Sequence, residues 1–251
     1  MDRAIRVLDH SVIALAVLLG AGSIALFAWE GRPVFVRMGL AAPAALAWDA
    51  LLSLVFFAQH SGMVRRSFRA RVVAVIPQRY DVAVYAIGSG LALMLVVVFW
   101  QPVVPILFEL TGVPRLIAVA CTLLAVATFV LSAHALRTFD PLGLRPIRAH
   151  LHGTPDRPSP FVLRGPYRWV RHPLYACVLV LLWARPEMTA DDLLLAVMWS
   201  AWIVMGTVLE ERDMVDAFGD TYRRYQRQVP MLIPWRRPAA IDATVPASGP
   251  G

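Results

Sequence analysis

The chain of 251 residues is 58% hydrophobic and only 16% charged, with a mean hydropathy of +0.60, whereas soluble domains carry about a quarter charged residues; a soluble fold is excluded, and an all-α integral membrane protein is expected. The net charge of +7 comes from 24 arginines without a single lysine, spread over the connections between apolar runs, and the lack of a basic patch excludes nucleic acid as a partner. Cys121 and Cys177 both fall inside apolar runs and imply neither a disulfide framework nor a metal site.

Arg3 and Arg6 precede the first apolar run, residues 11–29, which is too long for a secretory signal and lacks a small-residue cleavage site. Further runs cover residues 38–59, 82–100 and 116–136, each with the roughly 20 residues a bilayer requires. A short run, 174–184, and a last one, 193–209, complete six expected transmembrane helices, with Arg185, Pro186, Glu187, Asp191 and Asp192 in the turn between them. An even number of spans puts 20 arginines on one side and only Arg32, Arg37, Arg115 and Arg185 on the other. The positive-inside rule then sets both termini in the cytoplasm, as expected for a protein of a bacterial inner membrane surrounded by lipid. Residues 1–237 read as one membrane domain and the Pro-, Ala- and Gly-rich 238–251 as a disordered tail. No internal repeat is visible, which disfavours a transporter of inverted halves.

Between the fourth and fifth runs stands Arg164-Gly165-Pro166-Tyr167-Arg168-Trp169-Val170-Arg171-His172-Pro173-Leu174-Tyr175. Pro166 and Pro173 can each open a helix, because proline at the first helical position forfeits no hydrogen bond. Arg171 and His172 therefore sit at a break between helices. The unpaired amides and positive dipole end of the second helix, preceded by two basic side chains, suit a carboxylate. Arg164, Arg168 and Arg171 also read as arginines at the membrane interface.

A hairpin of the last two runs brings Glu210-Glu211-Arg212-Asp213 to the same side as Arg171-His172-Pro173. The helix from Pro173 is about 18 Å long against a hydrocarbon core of about 30 Å, which sets Pro173 roughly 10 Å below the inner surface. Charged groups at that depth are enclosed by protein and functional by default. Paired glutamates, a carboxylate-binding helix start and the aromatic walls Tyr167, Trp169 and Tyr175 suit an amino acid that carries a nucleoside. S-adenosylmethionine adds a sulfonium that glutamate and aromatic faces favour.

The run from Gly165 to Tyr175, followed by Glu210-Glu211-Arg212-Asp213, Phe218-Gly219-Asp220, Tyr222, Tyr225 and Val229-Pro230, resembles the C-terminal signature of the membrane methyltransferases related to isoprenylcysteine carboxyl methyltransferase and phospholipid N-methyltransferase. A finer likeness covers Asp49 through Phe57 into Gln59-His60-Ser61, Phe99-Trp100-Gln101-Pro102, Phe139-Asp140-Pro141-Leu142-Gly143-Leu144-Arg145 and Arg185-Pro186-Glu187-Met188-Thr189. These stretches are similar to the bacterial methanethiol S-methyltransferases, which form dimethyl sulfide, and denitrification-associated membrane proteins share the architecture. The resemblance implies S-adenosylmethionine as cofactor and places it on Arg171, His172, Pro173, Leu174, Tyr175, Glu210 and Glu211. Beside them Tyr167 lines the pocket, and Tyr222 and Tyr225 either close it over the adenosine or pack on the membrane surface.

The acceptor side falls to the other helices. Asp49 lies near the middle of the second run, where a carboxylate is costly enough to expect a job; Gln59 and His60 end that run, and His134 ends the fourth. A thiol acceptor must lose its proton, and His60, His134 or Asp49 can take it. Gln59, His60 and Asp140 are the candidate substrate contacts, Asp140 serving equally well as an ion-pair partner of an arginine. No metal is expected. A small thiol needs only an enclosed apolar cavity, which Phe56, Phe57, Phe99 and Trp100 can fill, whereas a prenylated or phospholipid acceptor needs a lateral opening. A channel or transporter would leave the Arg-His-Pro and Glu-Glu constellation without a purpose, and a scaffold would explain neither it nor Asp49.

Overall fold

The computed structural model describes residues 3–28, 34–136, 140–155, 161–162, 164–239 and 244–245. In chain order the helices are α1 (Arg3–Leu15), continued by a π-helical segment (Ala16–Ala21) into α2 (Gly22–Phe27), then α3 (Ala42–Val64), α4 (Arg66–Val73), α5 (Asp81–Phe99), α6 (Gly112–Ala135), α7 (Leu144–His152), α8 (Pro173–Trp183) and α9 (Ala190–Gln228). Four short strands, β1 (Ile106–Glu109), β2 (Phe161–Val162), β3 (Glu187–Thr189) and β4 (Thr244–Val245), pair two by two. Five helical stretches among the described residues are long and apolar enough to cross a membrane, and α8 is a shorter apolar helix of eleven residues. The side chains of Leu116, Leu123 and Leu124 on α6 are 68, 66 and 68% exposed, an apolar surface that only lipid suits. Helices α4 and α7 lie in stretches that read as plain connections in the sequence.

Two compact units divide the chain, residues 1–104 with 140–157 and residues 105–139 with 158–251. Small residues set the close packing in the first. A Cβ on Gly90 of α5 would come within 2.4 Å of the Leu19 carbonyl oxygen, and one on Gly20 within 2.7 Å of Leu142, so the π-helical segment rests directly on bare α5 backbone. Gly143 has φ +65 and would put a Cβ 2.5 Å from the Ala83 amide, which fixes glycine at the start of α7. Polar ties complete the unit. The fully buried Asp9 of α1 accepts from Tyr80, from Arg79 at 3.4 Å and from His150 of α7 at 2.9 Å. Asp49 is the eighth of the 23 residues of α3, nearer its middle than its start, and its Oδ1 accepts from the Gln101 amide at 2.9 Å, just past the end of α5. Gln101 accepts from the Met38 amide in turn and donates to the carbonyls of Val36 and Phe99.

In the second unit β1 and β3 pair antiparallel, Ile106 opposite Thr189 and Glu109 opposite Glu187. Thr189 then caps α9 in a reciprocal box with Asp192, so strand and helix are joined without slack. Helix α6 meets α8 through Thr122, which donates to the Ala184 carbonyl at 3.0 Å, and α8 meets α9 through Trp183 and Ser200 at 2.9 Å. Gly219 interrupts α9 with φ 54 and ψ −132, a conformation open to glycine almost alone. Much of 238–251, expected to be an unstructured tail, lies outside the described residues; within it Ala239 exchanges hydrogen bonds with Arg168, and Thr244–Val245 pair with Phe161–Val162.

Candidate functional site

Helix α8 begins at Pro173 after a turn of 3-10 helix (Gly165–Arg168), and no side chain caps its first amides. Its N-cap is His172. The two residues before Pro173 are pinned by backbone bonds from the Arg171 amide to the Pro230 carbonyl at 2.9 Å and from the His172 amide to the Met231 carbonyl at 3.1 Å. The chain beyond α9 thus forms the floor of the corner.

The bend at Gly219 makes this closure possible. Glu211 and Gln226 are fifteen residues apart, which would separate them by about 22 Å along a straight helix, yet Gln226 Nε2 donates to Glu211 Oε2 at 3.0 Å. Past the bend, Tyr222 and Tyr225 are buried edge to face, 5.7 Å between ring centroids, against Met214, Val215 and Phe218. The Tyr225 hydroxyl donates to the Tyr167 carbonyl at 2.7 Å. These two tyrosines brace the corner from behind.

The paired glutamates are in unlike states. Glu211 is 8% exposed and takes a fork from Arg171, whose Nε donates to Oε1 and Nη2 to Oε2 at 2.8 Å, together with His172 Nε2 at 3.1 Å and Gln226. Such charge-assisted, two-point pairing is the strong kind. Arg171 Nη1 is also spent, on the carbonyls of Val229 and Gln226. Glu210 has a side chain 41% exposed, and it accepts only from Tyr175, at 2.8 Å on Oε2, leaving Oε1 without a hydrogen-bond partner among the described residues. The His172 ring stacks on Tyr175, 5.5 Å centroid to centroid and 5° from parallel. Burial, with the negative charge of Glu210 adding to it, pushes the Tyr167 hydroxyl above the ordinary tyrosine range, so it stays neutral. The corner therefore offers one free carboxylate oxygen, one aromatic stack and the uncapped start of a helix to a ligand, while its formal cation is already neutralised.

Of the residues that the sequence singled out, Tyr167, Arg171, His172, Pro173, Leu174, Tyr175, Glu210, Glu211, Tyr222 and Tyr225 gather in this second unit. His134 belongs to the same unit, exposed near the end of α6, which contacts the turn at Gly165. Arg168 donates to the Ala239 carbonyl at 2.7 Å. Gln59, His60, Asp49 and Asp140 belong to the first unit. His60 Nε2 and the Tyr85 hydroxyl are hydrogen-bonded at 2.6 Å, with Phe56 against the imidazole. Asp49 is eleven residues from His60, about 16 Å along α3, and its carboxylate holds the backbone after α5. Asp140 accepts from the amides of Leu144 and Arg145 at 2.9 and 2.6 Å, capping α7, so both of its oxygens are engaged in folding. Tyr85 and Gln226 went unnoticed in the sequence. The signal for Tyr85 was an aromatic hydroxyl on an otherwise apolar helix; for Gln226 there was none without knowledge of the bend.

Comparison with known proteins gives a consistent neighbourhood. Residues 50–240 match the NnrU protein family. A methanethiol S-methyltransferase of a Pseudomonas species is 37% identical over 205 residues, 79% of this chain and 76% of that protein. The methanethiol S-methyltransferase of Mycobacterium tuberculosis is 33% identical over 206 residues, 81% of this chain and 84% of that one. Nurim of Rattus norvegicus is 30% identical over 186 residues, 68% of each. No solved structure matches.

Proposed function

The chain belongs to the NnrU protein family, and from that premise we propose that it is a membrane methyltransferase that converts methanethiol to dimethyl sulfide with S-adenosylmethionine as donor. The names of its methanethiol S-methyltransferase relatives support the acceptor. The single observation that carries the donor is the asymmetry of the two glutamates. Glu211 locks Arg171, and Glu210 keeps an oxygen open beside the uncapped start of α8.

This chemistry fits the donor's own groups. The first amides of α8 suit the carboxylate of an amino acid, and with Arg171 engaged by Glu211 that task falls to the helix start. Glu210 and the His172–Tyr175 stack suit its cationic groups. When bound, the sulfonium supplies an activated methyl group. The residues of the chain bind and orient the partners and exclude water, which aids a displacement whose charge disperses at the transition state. The acceptor sulfur takes the methyl carbon as the carbon–sulfonium bond breaks, giving a thioether, S-adenosylhomocysteine and one proton. The candidate acceptors of that proton are His60, His134 and Asp49, the last with one oxygen already on the Gln101 backbone.

Headspace gas chromatography on expressing cells supplied with methanethiol tests the reading, with dimethyl sulfide above the vector control as the expected outcome. Methylation of a farnesylated cysteine analogue or an ethanolamine lipid, without dimethyl sulfide, would leave the methyltransferase and overturn the thiol.

A further inference from the structure

Beyond α9 the chain of the second unit is tied down at two places and lifts off between them. The amides of Arg171 and His172 donate to the carbonyls of Pro230 and Met231. Arg168 and Ala239 bond twice, the Ala239 amide to the Arg168 carbonyl at 3.0 Å and Arg168 Nε to the Ala239 carbonyl at 2.7 Å. Residues 232–238 therefore arch between feet set on Arg168 and His172, which are only four residues apart. The arch is held from within, by the Trp235 amide on the Ile233 carbonyl at 3.0 Å, and from α9, where Arg236 Nη1 donates to the Arg227 carbonyl. Its large side chains turn outward, Ile233 67% and Trp235 65% exposed, with Arg236 and Arg237 exposed beside them. At its feet stand the exposed Arg168 and Trp169, the latter 49% exposed.

Two environments are closed to such a face. Water does not suit a surface of two indoles and an isoleucine. The hydrocarbon core does not admit lipid-exposed backbone outside a helix or closed barrel, and the arch and Trp169 lie outside both helix and strand. The headgroup layer accepts both features, because an indole there keeps its ring in apolar surroundings and its N–H wet. Charge then names the lipid. Between Asp156 and Glu187, and again between Asp220 and Asp242, the sequence holds no acidic residue, so the two stretches that build the face are of one sign and complement a negative leaflet. We propose that the arch is a docking surface for anionic lipid headgroups, with Trp169, Ile233 and Trp235 in the interface and Arg168, Arg236 and Arg237 on the phosphates, and that lipid seated there steadies the floor of the donor corner. The second half rests on the reading of Arg171 and His172 as part of the donor site. Both residues hang by their backbone amides on Pro230 and Met231, at one foot of the arch. Headgroups that hold the arch still reduce what donor binding must order, and the two ligands then favour one another.

The full chain in lipid nanodiscs provides the test. Trp235 emission, taken as the difference between wild type and Trp235→Phe, should be quenched by phosphatidylcholine brominated near the headgroup end of its chains. Discs of equal parts phosphatidylcholine and phosphatidylglycerol should raise the unfolding temperature over pure phosphatidylcholine and tighten S-adenosylhomocysteine binding about fivefold, the worth of one arginine at an anionic surface. Arg236→Gln combined with Arg237→Gln should lose both gains while matching the wild type in pure phosphatidylcholine, and Arg236→Lys combined with Arg237→Lys should keep them. Trp235 emission untouched by brominated lipid, an unfolding temperature indifferent to phosphatidylglycerol, or gains kept by the glutamine pair would overturn the lipid surface. Shielding of Trp235 from bromine and acrylamide alike would overturn it in favour of a protein partner or a second copy. A measurable S-adenosylhomocysteine affinity that phosphatidylglycerol leaves unmoved would overturn the link to the corner. If S-adenosylhomocysteine binds in neither disc while the quenching and the rise in unfolding temperature stand, the donor reading falls and the lipid surface remains.

Discussion

At the scale of single residues, the two adjacent glutamates illustrate how far chemistry can be read from sequence. Their pairing with Arg171 and His172 was legible, because basic and acidic clusters at one hairpin mouth in a membrane have few other uses. Their division of labour was not legible, since it depends on Gln226 and the carbonyls of 226 and 229 arriving from beyond the bend. It leads to opposite expectations for one substitution at neighbouring positions. Glu211→Gln leaves the buried Arg171 charge unmatched, a change that costs about 3–5 kcal/mol. We expect it to lower the melting temperature and to abolish binding of S-adenosylhomocysteine. Glu210→Gln should weaken that binding by roughly tenfold with an unchanged melting temperature. Isothermal titration and thermal unfolding in one detergent separate the two, and equal effects would refute the division. Asp49 and Asp140 teach the converse lesson. A carboxylate inside or beside an apolar run can be spent on orphan backbone amides, Asp140 with both of its oxygens and Asp49 with Oδ1, and residue type alone does not distinguish that use from catalysis.

At the scale of elements, the three middle apolar runs met their helices to within about five residues at each end, because hydrophobic length is dictated by the bilayer, whereas the first helix begins eight residues before its run and α9 continues nineteen beyond its own. Helices α4 and α7 escaped notice because their amphipathic pattern is short and arginine-rich, and it resembles loop. The 3-10 turn and α8 were expected from Pro166 and Pro173, and the structure has both. The bend in α9 is the element on which the corner most depends. Gly219→Ala meets no neighbour, since nothing lies within 4 Å of its Cβ position, so its cost is purely conformational, on the order of 1–3 kcal/mol. We expect it to detach Gln226 and the two tyrosines and to raise Kd for S-adenosylhomocysteine by tenfold or more. Gly206→Ala, in the same helix with equal room but ordinary helical dihedrals, is the matched control. It should be neutral or slightly stabilising by circular dichroism melts.

At the scale of the whole molecule, the arginine asymmetry makes an orientation testable. Reporter fusions after Arg71 and Gly153 should read cytoplasmic and fusions after Thr111 and Glu187 external; a reversal at Gly153 would overturn the orientation drawn from the 20 to 4 split of arginines. The tie between Asp9 and His150, which are 141 residues apart, has a consequence in time. A ribosome adding about 5–20 residues per second delivers His150 roughly 7–28 s after Asp9, and α6, which belongs to the other unit, emerges in between. The first span thus enters the bilayer carrying an acidic group whose last partner has not yet been synthesised, and whose earlier partners, Arg79 and Tyr80, arrive about halfway through that wait. Asp9→Asn, which lightens that burden, should speed insertion of the nascent first helix in a pulse-labelled translation assay even as it loosens α7 in the finished protein.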